Sequence, residues 1–252
     1  MPDWVTIIQK LVMAVPPKLL PLLLLLVLPT YAQTPASEPN TSSSASVPTI
    51  KFEFELPGAQ PAHYSVLLES SGQAAYHSEA TPQPGAPVGE PYALKFVVSE
   101  FTRTRIFDLA RQANYFDGDF DYTKSRIANM GAKTLSYRDD RRDHQTQYNY
   151  SVDPVIQQLT KFFQDLSTTL EYSRQLAYLY HYDKLGLESE LKSMEGAEKD
   201  GWLAELQVAE PILNQIAADH SVMNISRRRA ERLLDKIRTT ASLSATPPAA
   251  RQ

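Results

Sequence analysis

The sequence predicts an α+β fold: an antiparallel sheet built from hairpins, packed by one short and one long helix, followed by a small C-terminal helical segment. Three observations predict it. Period-two alternation dominates the first half of the folded region, helical spacing fills the second, and apart from one short helix after Ser99 the two do not alternate. That segregation separates the chain from a doubly wound sheet, in which strands and helices alternate.

Each element has its own signal. Residues 50–56 (IKFEFEL) alternate through Ile50, Phe52, Phe54 and Leu56, the mark of a half-buried strand. Residues 64–70 and 73–79 flank Ser71-Gly72 and read as a hairpin. A loop with Pro82, Pro84, Gly85, Pro87, Gly89 and Pro91 leads to a fourth strand, YALKFVV. Ser99 is placed to cap a helix whose apolar side is Phe101, Ile106, Phe107, Ala110 and Ala113. Three more strands are expected beyond Phe116, in SRIANM, KTLSYRD and QTQYNYSV. Gly131 lies in the first connection between them and the charged DDRRD stretch in the second.

Asp153-Pro154 then opens the most regular element, with a capping residue followed by proline at the first helical position. Its stripe runs through Ile156, Leu159, Phe163, Leu166, Leu170, Ala177 and Tyr180. A shorter helix is expected to start after Asp183 and stop at Gly196, another to run over 202–218 carrying Pro211, and a last one over 226–239. The expected organisation is a signal over 1–32, a disordered linker over 33–48, an α+β domain over 49–196, a helical segment over 197–241 and a disordered tail over 242–252. If the last helices separate from the sheet, the joint falls between Gly196 and Gly201.

The compartment is read from the beginning of the chain. Lys10 and Lys18 precede the apolar run LLPLLLLLVL, which ends in Thr30-Tyr31-Ala32, the three parts of a secretory signal. Lys10, Pro16, Pro17, Lys18 and Pro21 interrupt the segment, leaving it short of the roughly 20 apolar residues that a spanning helix needs. Cleavage after Ala32 is therefore expected, giving a periplasmic or secreted protein with no stable transmembrane span; the alternative is an N-terminal membrane anchor. With no cysteine, the chain offers no thiol catalysis, no lipoprotein acylation and no disulfide. Its formal charge of −4 becomes −5 when Asp3, Lys10 and Lys18 leave with the signal, which argues against nucleic acid as a partner.

Candidate chemistry is sparse. Asp117, Asp119 and Asp121 have the opening spacing of a calcium loop, but Tyr122 stands where the turn needs glycine and Ala128 where a bidentate Glu belongs. His63, His77, His144, His181 and His220 form no paired metal spacing, and His144 sits in the charged hairpin tip. There is no GxSxG elbow and no phosphate-cradling loop. Arg227, Arg228, Arg229, Arg232, Lys236 and Arg238 form a basic run, read as a solvated helix face pairing with Glu231 and Asp235 over a buried stripe of Ala230, Leu233, Leu234 and Ile237. Thirteen tyrosines, among them Tyr137, Tyr148, Tyr150, Tyr172, Tyr178, Tyr180 and Tyr182, suit core packing with wet edges. Asn40-Thr41-Ser42 and Asn224-Ile225-Ser226 match the glycosylation sequon.

Two resemblances follow. HYSVLLESSGQAAYHSE, ALKFVVSEFTRTRIFDLARQANYF and KTLSYRDD resemble the hairpin–helix–hairpin pattern of uncharacterised secreted bacterial α+β domains, over residues 50–165. That resemblance implies a compartment and a fold, and no chemistry. PILNQIAADHSVMNISRRRAERLLDKI is similar to a single HEAT-type repeat, with Asp219 at its turn. HEAT arrays bind proteins but need about three units, and a helical hairpin is the simpler expectation. The functional expectation is an exported, non-enzymatic binding protein of the cell envelope, with another envelope or secreted protein as partner and no cofactor, metal or catalytic residues assigned. The alternative is a secreted hydrolase whose acidic residues meet only in the fold.

Overall fold

The computed structural model describes residues 46–79 and 91–244. The expected signal over 1–32, most of the expected linker, Asn40, the proline-rich loop and the end of the expected tail lie outside the described residues. Six antiparallel strands form one sheet in the order β4-β3-β2-β1-β5-β6. They are β1 Thr49–Glu55, β2 His63–Glu69, β3 Gln73–Ser78, β4 Tyr92–Val97, β5 Ala132–Arg138 and β6 Asp143–Tyr148. The helices are α1 Glu100–Gln112, α2 Pro154–Tyr182, α3 Leu187–Lys199, α4 Glu210–Ala218 and α5 Asn224–Ser244. The fold is α+β, as the segregated patterns require.

Register turns alternation into a core. Phe52 pairs with Val66 on one side and Leu135 on the other, and Val66 pairs with Tyr76. Because partners share a face, Ile50, Phe52, Tyr64, Val66, Leu68, Tyr76 and Leu135 lie together and are buried. The helices α1 and α2 cover that face through Ile106, Leu109, Ile156, Leu159, Phe163 and Leu170. The opposite face carries Lys51, Glu53, Ser65, Thr134, Ser136 and Gln145, none of them buried.

Residues 125–130 (SRIANM), expected as a strand, are not one. Both sides of β1 are already taken, by β2 and β5. The segment satisfies its backbone through side chains instead: Asn149 accepts from Met130 N at 2.7 Å and donates to Ala128 O at 2.9 Å. Lys133 Nζ donates to Met130 O, Gly131 O and Asn149 O at 2.8–3.0 Å. Lys133 faces the core and is 5% exposed, and burial pushes its ammonium pKa down.

The helices also depart from expectation at their ends. Helix α3 runs past Gly196 to Lys199, since Gly196 has open space around it and lowers helix propensity without blocking it. The single helix expected over 202–218 divides into a 3-10 turn, Leu206–Ala209, and α4, with Pro211 in the first turn of α4, where a missing N–H costs nothing. Helix α5 continues to Ser244, beyond the expected stop at Thr239.

The described residues belong to one compact unit, yet they hold two cores. One lies between the sheet, α1 and the first half of α2; the other joins Leu176 and Leu179 of α2 to α3, α4 and α5. The change of core therefore falls inside α2, between Leu170 and Leu176. A continuous helix of 29 residues, about 43 Å long, is shared by both. Helix α3 packs with the C-terminal helices although the sequence placed it with the sheet.

The second core is closed by an ion pair. Lys184 Nζ lies 2.7 Å from Asp219 Oδ2 and 2.7 Å from Ser221 Oγ, tying the end of α2 to the α4–α5 turn. The Lys184 ammonium, with help from the Ser221 hydroxyl and N–H, holds the Asp219 carboxyl well below the usual carboxylate range. A depressed folded pKa means stability that is fully present above the unfolded value, about pH 4, and lost as pH falls below it. Asp219→Asn should therefore flatten the acid limb of the Tm–pH curve below about pH 4. Parallel curves for variant and wild type would show that the pair carries no such linkage.

Candidate functional site: a groove between the first two helices

Helix α1 begins with Ser99, whose Oγ accepts from Thr102 N at 3.3 Å, as expected of a cap. A distant residue completes it. Glu205, at φ +53, accepts from Ser99 N at 2.7 Å, from Ser99 Oγ at 2.9 Å and from the Thr102 hydroxyl. An acidic group at a helix N-terminus is favoured by the helix dipole, so this carboxylate fixes the helix from the other end of the chain.

The side of α1 that meets the sheet is Ile106, Leu109, Ala110 and Ala113. Phe101, expected in that set, is 76% exposed. Five residues before Ile106, at about 100° per residue, it is turned roughly 140° away from the stripe. It stands instead at the entrance of a groove. Phe101, Thr102, Arg105, Ile106 and Leu109 of α1 form one wall, and Gln158, Lys161, Phe162 and Asp165 of α2 form the other. The α2 set has spacing of three, four and seven, one stripe beside the buried one. The groove has a volume of about 280 Å³ and a mostly apolar lining. Arg105 Nη2 donates to Gln158 Oε1 at 2.6 Å across it. Lys161 Nζ bonds Asp165 Oδ2 at 2.5 Å and Gly201 O at 2.8 Å, so the chain before the exposed Trp202 borders the same region.

The other candidates do not assemble. Asp119 Oδ1 accepts from Asp121 N at 3.0 Å, whereas Asp121 Oδ1 accepts from Asn149 N at 2.8 Å. Asp117 points toward His144 Nδ1 at 3.8 Å, so the three carboxylates serve three different partners. Among the described residues no three His, Asp or Glu side chains converge on a metal position. His63 lies 3.4 Å from Glu79, and His220 contacts Arg227 Nη1 at 2.9 Å.

The basic run pairs across helices more than along its own. Arg229 binds Glu188 and Glu195 of α3, Arg232 binds Glu195, and Lys236 binds Glu198. The expected partner Asp235 is found on Arg238. Half of the run is thus a fastening between α3 and α5. Ser226 of the Asn224-Ile225-Ser226 sequon is fully buried in α5.

Two further features had no sequence signal. Tyr76 and Ser78 of β3 both donate to Glu171 Oε1, at 2.8 and 2.7 Å, and Ser167 Oγ lies 3.0 Å from Tyr76 OH. Desolvation raises the Tyr76 phenol pKa, and the neighbouring Glu171 charge adds to the shift. Beyond α1, Asn114, Tyr115 and Phe116 all have positive φ, 50°, 56° and 68°. Such backbone costs roughly 1–2 kcal/mol per residue. It is held by the buried Phe116, by Tyr137 against Tyr115 and by the Arg142 guanidinium 4.0 Å over the Tyr115 ring.

No family model matches the chain, and no curated protein matches it. Among the described residues no helix is long and apolar enough to cross a membrane.

Proposed function

We propose that the protein is an exported binding protein that engages another envelope or secreted protein through the α1–α2 groove. The observation that carries this reading is Phe101, 76% exposed at the rim of a concave apolar surface. Single exposed apolar residues are ordinary. An aromatic beside a concavity that also holds Phe162 and Arg105 is different, because aromatics and arginine are the residues enriched at interfaces. Covering such a ring would recover about 1.5–3 kcal/mol. The His144–Asp117 contact, at 3.8 Å, exceeds hydrogen-bond length and gives the hydrolase alternative less support.

Export is proposed from the Lys10–Ala32 pattern, with maturation at Gln33. One experiment addresses both parts. A photo-crosslinking phenylalanine analogue is placed at position 101 of the full chain, or at Gln145 on the open sheet face, in cells that export the protein. The expected result is a discrete crosslinked partner from position 101 and none from position 145, on a chain whose intact mass begins at Gln33. Equal crosslinking from both positions would remove the groove from the reading, and a mass that retains residues 1–32 would remove the cleaved signal.

A further inference from the structure

We propose that the segment bound in the groove is acidic and amphipathic: an aromatic or leucine side chain of a partner protein enters beside Phe101 and Phe162, and a carboxylate one helical turn away meets Arg105. This rests on the groove being the docking site. Its new content is the partner's chemistry, and that comes from the charges around the groove.

Of the two groove cations, Lys161 is neutralised by Asp165. The guanidinium of Arg105 donates only to the neutral Gln158 amide and forms no ion pair among the described residues. Its neighbours along α1 are compensated, Arg103 by Glu100 at 3.4 Å and Arg111 by Asp108 at 2.8 Å. Arg105 is thus a fork of donors with room for a bidentate carboxylate, next to an apolar wall that partly excludes water. A basic segment would bring like charge against it, and a nucleic acid, which needs several phosphate contacts, would find one open cation.

The test is selection of short random peptides on the full-length chain and on its Arg105→Glu and Phe101→Asp variants, each first shown to be folded by circular dichroism. Peptides selected on the wild type should carry an apolar anchor with Asp or Glu within one helical turn. Their affinity should fall about tenfold on Arg105→Glu, the scale of a lost charge-assisted contact, and fresh selection on that variant should turn to Lys and Arg. Binding should disappear on Phe101→Asp. Peptides that need Phe101 but show no acidic bias and ignore Arg105→Glu would overturn the acidic assignment and leave the groove standing. Peptides indifferent to Phe101→Asp, or no enrichment at all, would overturn the groove itself.

Discussion

Phe163→Ala should lower the unfolding free energy by about 3–5 kcal/mol, the range for truncating a core phenylalanine. The side chain is fully buried at the middle of the sheet–helix core. Its ring stacks on Phe52 with centroids 5.0 Å apart and planes 6° from parallel. Phe52 sits on β1, a central strand paired on both sides. The strand is therefore poorly placed to move in and fill the space, and a cavity that cannot collapse gives the upper part of the range. Gln164→Ala, one residue on and off the buried stripe, should change stability by less than about 0.5 kcal/mol. Urea midpoints measured side by side decide the matter. Equal midpoints would mean that α2 is not docked on the sheet through Phe163.

That helix was legible because its determinants are local. Asp153 Oδ1 accepts from Val155 N at 2.7 Å and Ile156 N at 3.2 Å, as an N-cap before proline should. The apolar spacing is a property of a few consecutive turns. The β2–β3 hairpin was legible for the same reason, with alternation on both sides of a glycine turn. Even within α2 the reading drifted at its far end. Leu176 and Leu179 are the buried residues there, whereas Ala177 and Tyr180 are only partly covered. The partner of the helix changes from sheet to helices, and the buried stripe shifts with it.

What the sequence did not reveal depends on residues far apart in the chain. Phe101 has the composition of a core residue, and its exposure follows from which side of α1 meets the sheet. Glu205 reaches Ser99 across 106 positions, and Glu171 reaches Tyr76 across 95. Lys133 faces the core because β5 pairs with β1 in a register that sets Lys133 opposite Phe54. Alternation along β5 sets Lys133 in phase with Leu135 and Tyr137, but the Met130, Gly131 and Asn149 carbonyls that let a lysine stay there come from outside the strand. The groove shares this property, since one wall comes from α1 and the other from α2, and its α2 wall is the stripe beside the one that the periodicity identified. Core positions were readable from spacing, and contacts across the chain were not.

Gly131→Ala should cost about 2–4 kcal/mol, far more than its single added methyl suggests. Two terms contribute. The residue sits at φ +90°, where an L side chain is strained by about 1 kcal/mol or more. The new Cβ would lie 2.6 Å from Phe54 Cε2, 2.8 Å from Cζ and 3.1 Å from the Glu55 carbonyl oxygen. Overpacking of that kind costs about 1–3 kcal/mol. The ring has little room to yield, because Tyr64 lies 5.2 Å away and the Lys133 ammonium 5.7 Å from its centroid. Lys133 also donates to the Gly131 carbonyl, so a shift of the backbone would weaken that bond as well. Gly58→Ala is the control: φ is +89° there, but nothing lies within 4 Å of the added atom, so it should show the backbone term by itself, about 1 kcal/mol. The difference between the two variants measures the contact with Phe54. The cost of Gly131→Ala should be smaller when measured in a Phe54→Leu background, through relief of the clash. Equal urea midpoints for the two glycine variants would show that the loop before β5 can move away from Phe54, and that Lys133 does not hold it in place.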